Sequence, residues 1–280
     1  MIISGYNIYK IVGLSFLLIS IILILVEYTK KPSTEGDWQT QLAIPSTATW
    51  NGDNVTIKNV RNYRYGPEET DIHPNYYDRV YDASKIKKVW YTTEPFNEDK
   101  SAAHTYLSFE FENGDFLAIS IEGRKTKTQQ YSALKGTLRS YPLIYIAADE
   151  RDVTLLRANL RKDSVYVYPV KLSEQKNAKI LLKNMLDEMN DLLVHPRWYN
   201  TLSSNCTSEI AKQVDRLSPG RISPLSWQLW LTAHADELAL KRGLLDTDLP
   251  ISKAREKYFV TEKSQQAGDV PDYSALIRKQ

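Results

Sequence analysis

A chain of 280 residues with 36 Lys and Arg against 34 Asp and Glu has a formal net charge of +2, and its 25% charged residues are ordinary for a globular protein. No basic stripe or long charge run disturbs that balance, which removes the electrostatic case for binding nucleic acid. A single cysteine excludes an intrachain disulfide framework. The lack of His-Glu-x-x-His, Cys-x-x-Cys or a phosphate-cradling glycine loop leaves no metal or cofactor motif.

The first element is apolar. Ile11 to Val26 is sixteen residues without a charge, bracketed by Lys10 and Glu27. A bilayer span takes about 20 apolar residues. Tyr6, Ile8, Tyr9 and Tyr28 extend the run, and Lys10 can snorkel. A cleavable signal peptide would have a shorter apolar core followed by small residues, whereas Val26-Glu27-Tyr28-Thr29-Lys30-Lys31 follows here. The prediction is an uncleaved, single-pass membrane anchor within residues 1–31, with the bulk of the chain extracytoplasmic (periplasmic). Charge alone does not orient it, because Lys10 and the α-amino group oppose Lys30 and Lys31. Residues 32–37 read as a linker, 38–260 as one domain, and 261–280 as a polar tail or lid.

Residues 55–170 are strand-rich. Val55 to Val60, Tyr76 to Tyr81, Ile86 to Thr93, Leu143 to Ala148 and Val165 to Tyr168 are β-branched and aromatic runs bounded by turn residues. The clearest hairpin joins His104–Phe111 to Asp115–Glu122 through Asn113-Gly114. A two-residue loop would oppose Glu112 to Asp115, two like charges. A three-residue loop with Gly114 left-handed pairs Phe111 with Asp115 and brings Glu122 opposite His104, so it is preferred. Helices follow: one capped by Ser173 with Leu181, Met185, Met189 and Leu192 at helical spacing, a second from about Cys206 to Leu217, and a third over roughly Ser226 to Arg242. Glu209 is expected to close a capping box at the second. Strands first and helices later is an α+β order.

The chemistry centres on Ser203-Ser204-Asn205-Cys206-Thr207-Ser208-Glu209. A thiol at a helix N-terminus sits in the positive end of the dipole, which lowers its pKa. The base assigned to it is His104, on the polar face of its strand, with Glu122 orienting the ring. The helix N-terminus at Asn205 and Cys206 is the expected oxyanion site. His73, His195 and His234 sit in contexts that suit loop, helix-end and packed histidines. Arg124, Arg139 and Arg151 could offer guanidinium groups to a lipid phosphate, although a solvated charge run with local salt bridges is the reading preferred.

These residues carry a resemblance. Ala103-His104-Thr105-Tyr106-Leu107-Ser108-Phe109-Glu110-Phe111, Ile119-Ser120-Ile121-Glu122, Ala148-Asp149-Glu150-Arg151-Asp152 and Trp198-Tyr199-Asn200-Thr201-Leu202, followed two residues on by Asn205-Cys206-Thr207, resemble the Lnb N-terminal periplasmic domain family over roughly residues 50–260. Lnb is a bacterial lipoprotein N-acyltransferase. The resemblance implies a papain-like thiol fold in permuted order, the His strand preceding the Cys helix. It also implies acyl transfer: Cys206 accepts a fatty acyl chain from a phospholipid donor and passes it to an amine, in Lnb the N-terminal cysteine of a lipoprotein. His104 and Cys206 carry over from the family motifs, whereas Glu122 comes from the hairpin register alone. In that family the domain is followed by membrane-embedded chain; here the apolar span precedes it, which admits a different acceptor or a membrane-protein partner. Two other readings fit the residues: a cysteine amidase or peptidase acting on envelope peptides, and a non-catalytic anchored binding module in which Cys206 is a small buried hydrophobe.

Overall fold

The computed structural model describes residues 5–68, 71–96 and 101–279, with the side chains of residues 5–8, 23, 24 and 27 outside the described set. The strands are β1 (Thr47–Asn51), β2 (Asn54–Arg61), β3 (Arg64–Tyr65), β4 (Ile72–His73), β5 (Tyr76–Asp82), β6 (Ile86–Pro95), β7 (Ala103–Phe111), β8 (Phe116–Gly123), β9 (Leu143–Asp149) and β10 (Tyr166–Pro169). The main sheet runs β1-β2-β9-β8-β7-β6-β10, with β5 also pairing β2, and β3 and β4 form a separate two-stranded ribbon. The pairs are antiparallel except for a parallel contact of β2 with β9 at Arg61 and Ala148, so the sheet is mixed.

The strand-rich half is followed by helices: α2 (Ala133–Thr137), α3 (Glu150–Leu155, continued by a π turn at Leu156–Leu160), α4 (Lys176–Val194), α5 (Cys206–Leu217), α6 (Ala235–Lys241), α7 (Ile251–Tyr258), α8 (Thr261–Ala267) and α9 (Tyr273–Leu276). The protein is α+β. Every residue of β7 is buried, because helices cover both faces of the central strands. Leu107, Phe109 and Phe111 project to the face packed by Leu181, Met185 and Met189 of α4 and by Cys206 and Ile210 of α5. Tyr106 projects to the other face, with Ala118, Ile144, Ile146 and Val153. This period-two division decides which chemistry meets which helix.

α1 spans Gly5–Thr29, and its described side chains from Tyr9 to Tyr28 are largely exposed, apolar ones included. Among the described residues no helix is long and apolar enough to cross a membrane. The anchor expected within residues 1–31 falls partly on residues outside the described set. Past α1 the chain is laced to the domain: Arg139 donates to the Tyr28 carbonyl at 2.6 Å and Trp198 Nε1 to that of Lys30 at 3.2 Å.

Two elements differ from expectation. The expected helix over 226–242 is broken into single turns at Trp227–Leu229 and Thr232–His234 before α6 begins. The Leu229 carbonyl accepts from the Asn205 side chain at 2.8 Å and the Thr232 hydroxyl serves β7, so tertiary partners take groups that a helix would use or orient away. The expected polar tail folds as α8 and α9, where Tyr273 and Ile277 are buried and Arg278 donates to Glu150 at 2.7 Å.

The Ala148–Asp152 motif joins these parts. Asp149 accepts from the Arg151 N–H at 3.0 Å and so caps α3, Arg151 donates to Asp269 at 3.0 Å, and Asp152 binds Arg61.

Candidate active site

The site is built where β7 loses its neighbour. Rungs between β7 and β8 run from Glu110 opposite Phe116 to Tyr106 opposite Ser120. Gly114 has φ 85°, and the Phe111 N–H donates to the Asp115 carbonyl at 2.9 Å. This is the bulged three-residue turn, which avoids opposing the two carboxylates. Beyond Tyr106 no further β7–β8 rung forms, and the N-terminus of α5 with the segment before α6 fills the slot. The Thr232 hydroxyl accepts the Ala103 N–H at 2.7 Å and donates to its carbonyl at 2.9 Å. The Thr105 and Thr207 hydroxyls meet at 3.1 Å. Cys206 Sγ points at the Ala103 carbonyl at 3.8 Å, beside the backbone of the residue preceding His104.

Asn205 is the cap of α5. Its side-chain oxygen accepts from the Ser208 N–H at 2.8 Å, its own N–H donates to Ser208 Oγ at 2.9 Å, and its Nδ2 donates to the carbonyls of Thr201 and Leu229, each at 2.8 Å. Ser208 rather than Glu209 therefore completes the capping box. Glu209 turns inward instead, accepting from Ser204 at 2.6 Å and Tyr145 at 3.1 Å. With its groups used in this way Asn205 holds the helix in place, and the amide of Cys206 lies in the first turn, where helical partners are missing. Asn205→Ala is expected to lower the stability of the protein by about 1–2 kcal/mol in urea unfolding. A loss within error would mean that Thr201 and Leu229 are satisfied some other way.

His104 is oriented from β8. Its Nε2 lies 2.8 Å from Ser120 Oγ and 3.3 Å from Glu122 Oε1, and Ser120 donates to the same Glu122 oxygen at 2.8 Å. A serine that donates to the carboxylate accepts from the imidazole, so Nε2 carries the hydrogen and Nδ1 keeps its lone pair. The described residues show no hydrogen bond at Nδ1 and none between the ring and Sγ: His104 lies with Tyr106 on one face of β7, whereas Cys206 packs with Leu107 on the other, so the expected base and nucleophile are not in contact here. Arg157, from the π turn, donates to Glu122 at 3.2 Å and to the Val153 carbonyl at 2.9 Å, and its Nε contacts Glu94. Glu94 stands opposite His104 in the β6–β7 register and is fully buried.

Burial pushes His104 down to about 3, against the opposing pull of Glu122. Burial favours protonated Glu122, but His104, Arg157 and Lys125 outweigh it and hold this carboxyl well below its usual range. Glu94, more deeply buried, is pushed up to about 8 despite Arg157. Burial also raises the Cys206 thiol above its ordinary value, although the Thr105 hydroxyl and N–H favour the thiolate. The lowered thiol pKa expected from the helix dipole is thus reversed by desolvation. Both shifts favour the neutral forms, thiol and imidazole.

This arrangement predicts a pH dependence of folding. The folded value of His104, about 3, lies below its ordinary 6.5, so between these limits the unfolded chain binds the additional proton. The His104 contribution to stability is complete above pH about 6.5 and falls as the pH drops, by up to about 1.4 kcal/mol per pH unit. Subtracting the stability of His104→Gln from that of the wild type at pH 7 and pH 4 isolates it. An equal difference at both pH values would mean that the folded protein admits the proton.

Arg124 and Arg151 are buried and committed to protein. Arg124 donates to the carbonyls of Leu42, Thr34 and Ala43, between 2.8 and 2.9 Å, and stacks over Trp38. Arg151 donates to Asp269 at 3.0 Å and the Tyr63 carbonyl at 3.2 Å. Arg139 remains half-buried at the end of α1, over the Tyr28 ring. The other histidines pair locally: His73 with Asp71, His195 with Asp191 and His234 with Glu237. Among the described residues no group of three His, Cys, Asp or Glu is placed to hold a metal ion.

Ser120, Glu94 and Arg157 were missed from sequence. Ser120 had a signal, since it shares a strand face with Glu122 two residues on. Glu94 and Arg157 had none, because they depend on the β6–β7 register and on α3.

The model of the family described as the Lnb N-terminal periplasmic domain matches residues 73–233, which include Glu94, His104, Ser120, Glu122, Arg157 and Cys206. The chain belongs to the Lnb N-terminal periplasmic domain family. In this Lnb domain the matched span runs from β4 through the Thr232 turn, so it contains both walls of the site. No curated protein and no solved structure matches the chain.

Proposed function

We propose that this Lnb-family protein is a membrane-anchored thiol acyltransferase of permuted papain-like architecture. The observation that carries the reading is the Cys206 thiol at a capped helix N-terminus, against the Ala103 carbonyl at the end of β7 that also bears His104, whose Nε2 is fixed by Ser120 and Glu122 on the opposite face of the strand. An apolar cavity of about 70 Å³ supports the acyl character of the substrate. It starts at Thr207, one residue from the nucleophile, and is walled by Ile210, Val214, Leu107, Leu181 and Leu238.

Because both partners are neutral, His104 works as a general base during attack, not as half of a standing ion pair. Sγ attacks the ester carbonyl carbon of a phospholipid while its proton passes to Nδ1, a transfer for which the His104 ring must first come within reach of the thiol. The oxyanion faces the Cys206 amide at the positive end of α5. Collapse breaks the ester C–O bond, the proton goes from Nδ1 to the leaving alkoxide, and lysophospholipid departs. An amine, in one reading the N-terminus of a lipoprotein, then attacks the thioester, the C–S bond breaks, and the proton lost by the amine returns to sulfur by way of His104. The uncharged run Ile11–Val26 would hold this chemistry at the bilayer, with the domain on the periplasmic side.

Intact mass of the full chain after incubation with phospholipid vesicles tests the reading. A fatty-acyl adduct on Cys206 is expected. The neutral, buried thiol and imidazole also favour a non-catalytic module; an unmodified chain whose Cys206 resists alkylation throughout would establish that reading. An unmodified chain with an alkylatable Cys206 would favour an amidase or peptidase.

A further inference from the structure

Six large apolar side chains lie on segments fastened near the start of α5, each between 44 and 79% exposed: Leu134, Leu202, Leu225, Trp227, Trp230 and Leu231. They come from three segments tied to one another. The Thr201 hydroxyl donates to the Ala133 carbonyl at 2.8 Å and Asn200 to that of Thr137 at 3.2 Å, fastening the loop of Leu202 to α2, which carries Leu134. Asn205 Nδ2 donates to Thr201 and Leu229, fastening the same loop to the segment holding Trp227 and Trp230. The residue at the junction is the cap of the helix that begins with Cys206. The apolar ring and the nucleophile therefore share one framework.

That ring continues into α1. Arg139, two residues past α2, donates to the Tyr28 carbonyl at 2.6 Å and lies 4.1 Å over its ring, and Trp198 holds the Lys30 carbonyl at 3.2 Å. The apolar helix thus ends beside α2. Lys30, Lys31 and Lys135 are exposed at this junction, with Arg139 half-buried among them. Apolar wedges beside cations, with tryptophans whose rings are amphipathic, have the composition of a surface that seats at the boundary between lipid headgroups and acyl chains.

We infer that the rim of Leu134, Leu202, Leu225, Trp227, Trp230 and Leu231 inserts into the headgroup–acyl boundary of an anionic bilayer and seats the mouth of the Cys206 site on the lipid surface. The inference rests on the anchor proposed above and not on the chemistry at Cys206. It explains why so much apolar surface is left uncovered around a buried thiol: the bilayer covers it, and a phospholipid acyl chain need not cross water to reach the site.

The test uses the full chain carrying Cys206→Ser, so that one label site remains, reconstituted in vesicles of phosphatidylcholine and phosphatidylglycerol at three to one. Spin labels are placed through Leu225→Cys or Leu202→Cys, and through Val80→Cys on β5 as an aqueous control, since Val80 is 59% exposed. The ratio of collision with oxygen to collision with a water-soluble nickel chelate is expected to rise several-fold at positions 225 and 202 over position 80. Equal ratios at all three would overturn the inference. Protection of 225 and 202 from both relaxants would also overturn it, because it would place protein rather than lipid against the rim. Neither result depends on catalysis, so failure here is distinct from failure of the acyl-transfer reading, which the mass measurement decides.

Discussion

Cys206→Ser is expected to abolish the acyl adduct, and His104→Ala to slow its appearance by about 10²–10⁴-fold, in an intact-mass time course with phospholipid vesicles. The two effects differ in kind. Without sulfur no thioester can form. Without the imidazole the sulfur survives, but its proton has no acceptor, and burial holds the thiol above its ordinary pKa. Raising the pH should therefore rescue part of the rate of His104→Ala and none of that of Cys206→Ser. Glu122→Gln should fall between His104→Ala and the wild type, because it keeps an acceptor for Ser120 but loses the charge that Arg157 and the imidazole face. A His104→Ala protein that acylates at the wild-type rate would remove His104 as the base and direct attention to another acceptor beside Ala103 and Thr105.

Asp152→Ala is expected to remove about 3–5 kcal/mol of folding stability, measured by urea or guanidinium unfolding. Asp152 is fully buried and serves four donors: Arg61 Nε at 2.9 Å and Nη2 at 3.2 Å, the Tyr63 N–H at 2.8 Å and the Tyr65 hydroxyl at 2.6 Å. Removing the carboxylate strands the buried Arg61 guanidinium and orphans a backbone N–H, which is worse than deleting a pair together. A loss of this size is a large part of the 5–15 kcal/mol typical of a folded domain. Asp152→Asn keeps an acceptor and should cost less. A loss below about 1 kcal/mol for Asp152→Ala would mean that water reaches Arg61 once the carboxylate is gone.

The motif Ala148–Asp152 shows how a sequence signal and a structural role can part. In the sequence it offers a run of charges after a strand, open to a lipid phosphate or to solvent. In the fold each charge is used internally: Asp149 caps α3, Glu150 holds Arg278, Arg151 holds Asp269 and Asp152 holds Arg61. The partners lie on β2, in the segment after α8 and just beyond α9, and no local pattern brings residues so far apart in the chain together. The same holds for Arg124, whose donors are absorbed by three carbonyls between residues 34 and 43.

By itself the sequence determined what short-range physics controls. Alternation located β6, β7, β8 and β9, the Asn113-Gly114 turn set the register that brings Glu122 toward His104, and the run Ser203–Glu209 marked the start of α5. Each of these depends on side-chain period, turn chemistry or capping within a few residues. Only the tertiary structure decided the environment of Cys206 and His104. It placed Sγ in the slot that β8 leaves open, added Ser120, Arg157 and Glu94 around His104, and turned an expected thiolate into a buried thiol. The reason is that desolvation and long-range charge act through packing: the dipole of α5 is a property of its own first turn, but the cost of ionising Cys206 is set by its burial in a core that also draws Tyr91, Leu107 and Tyr199 from distant parts of the chain.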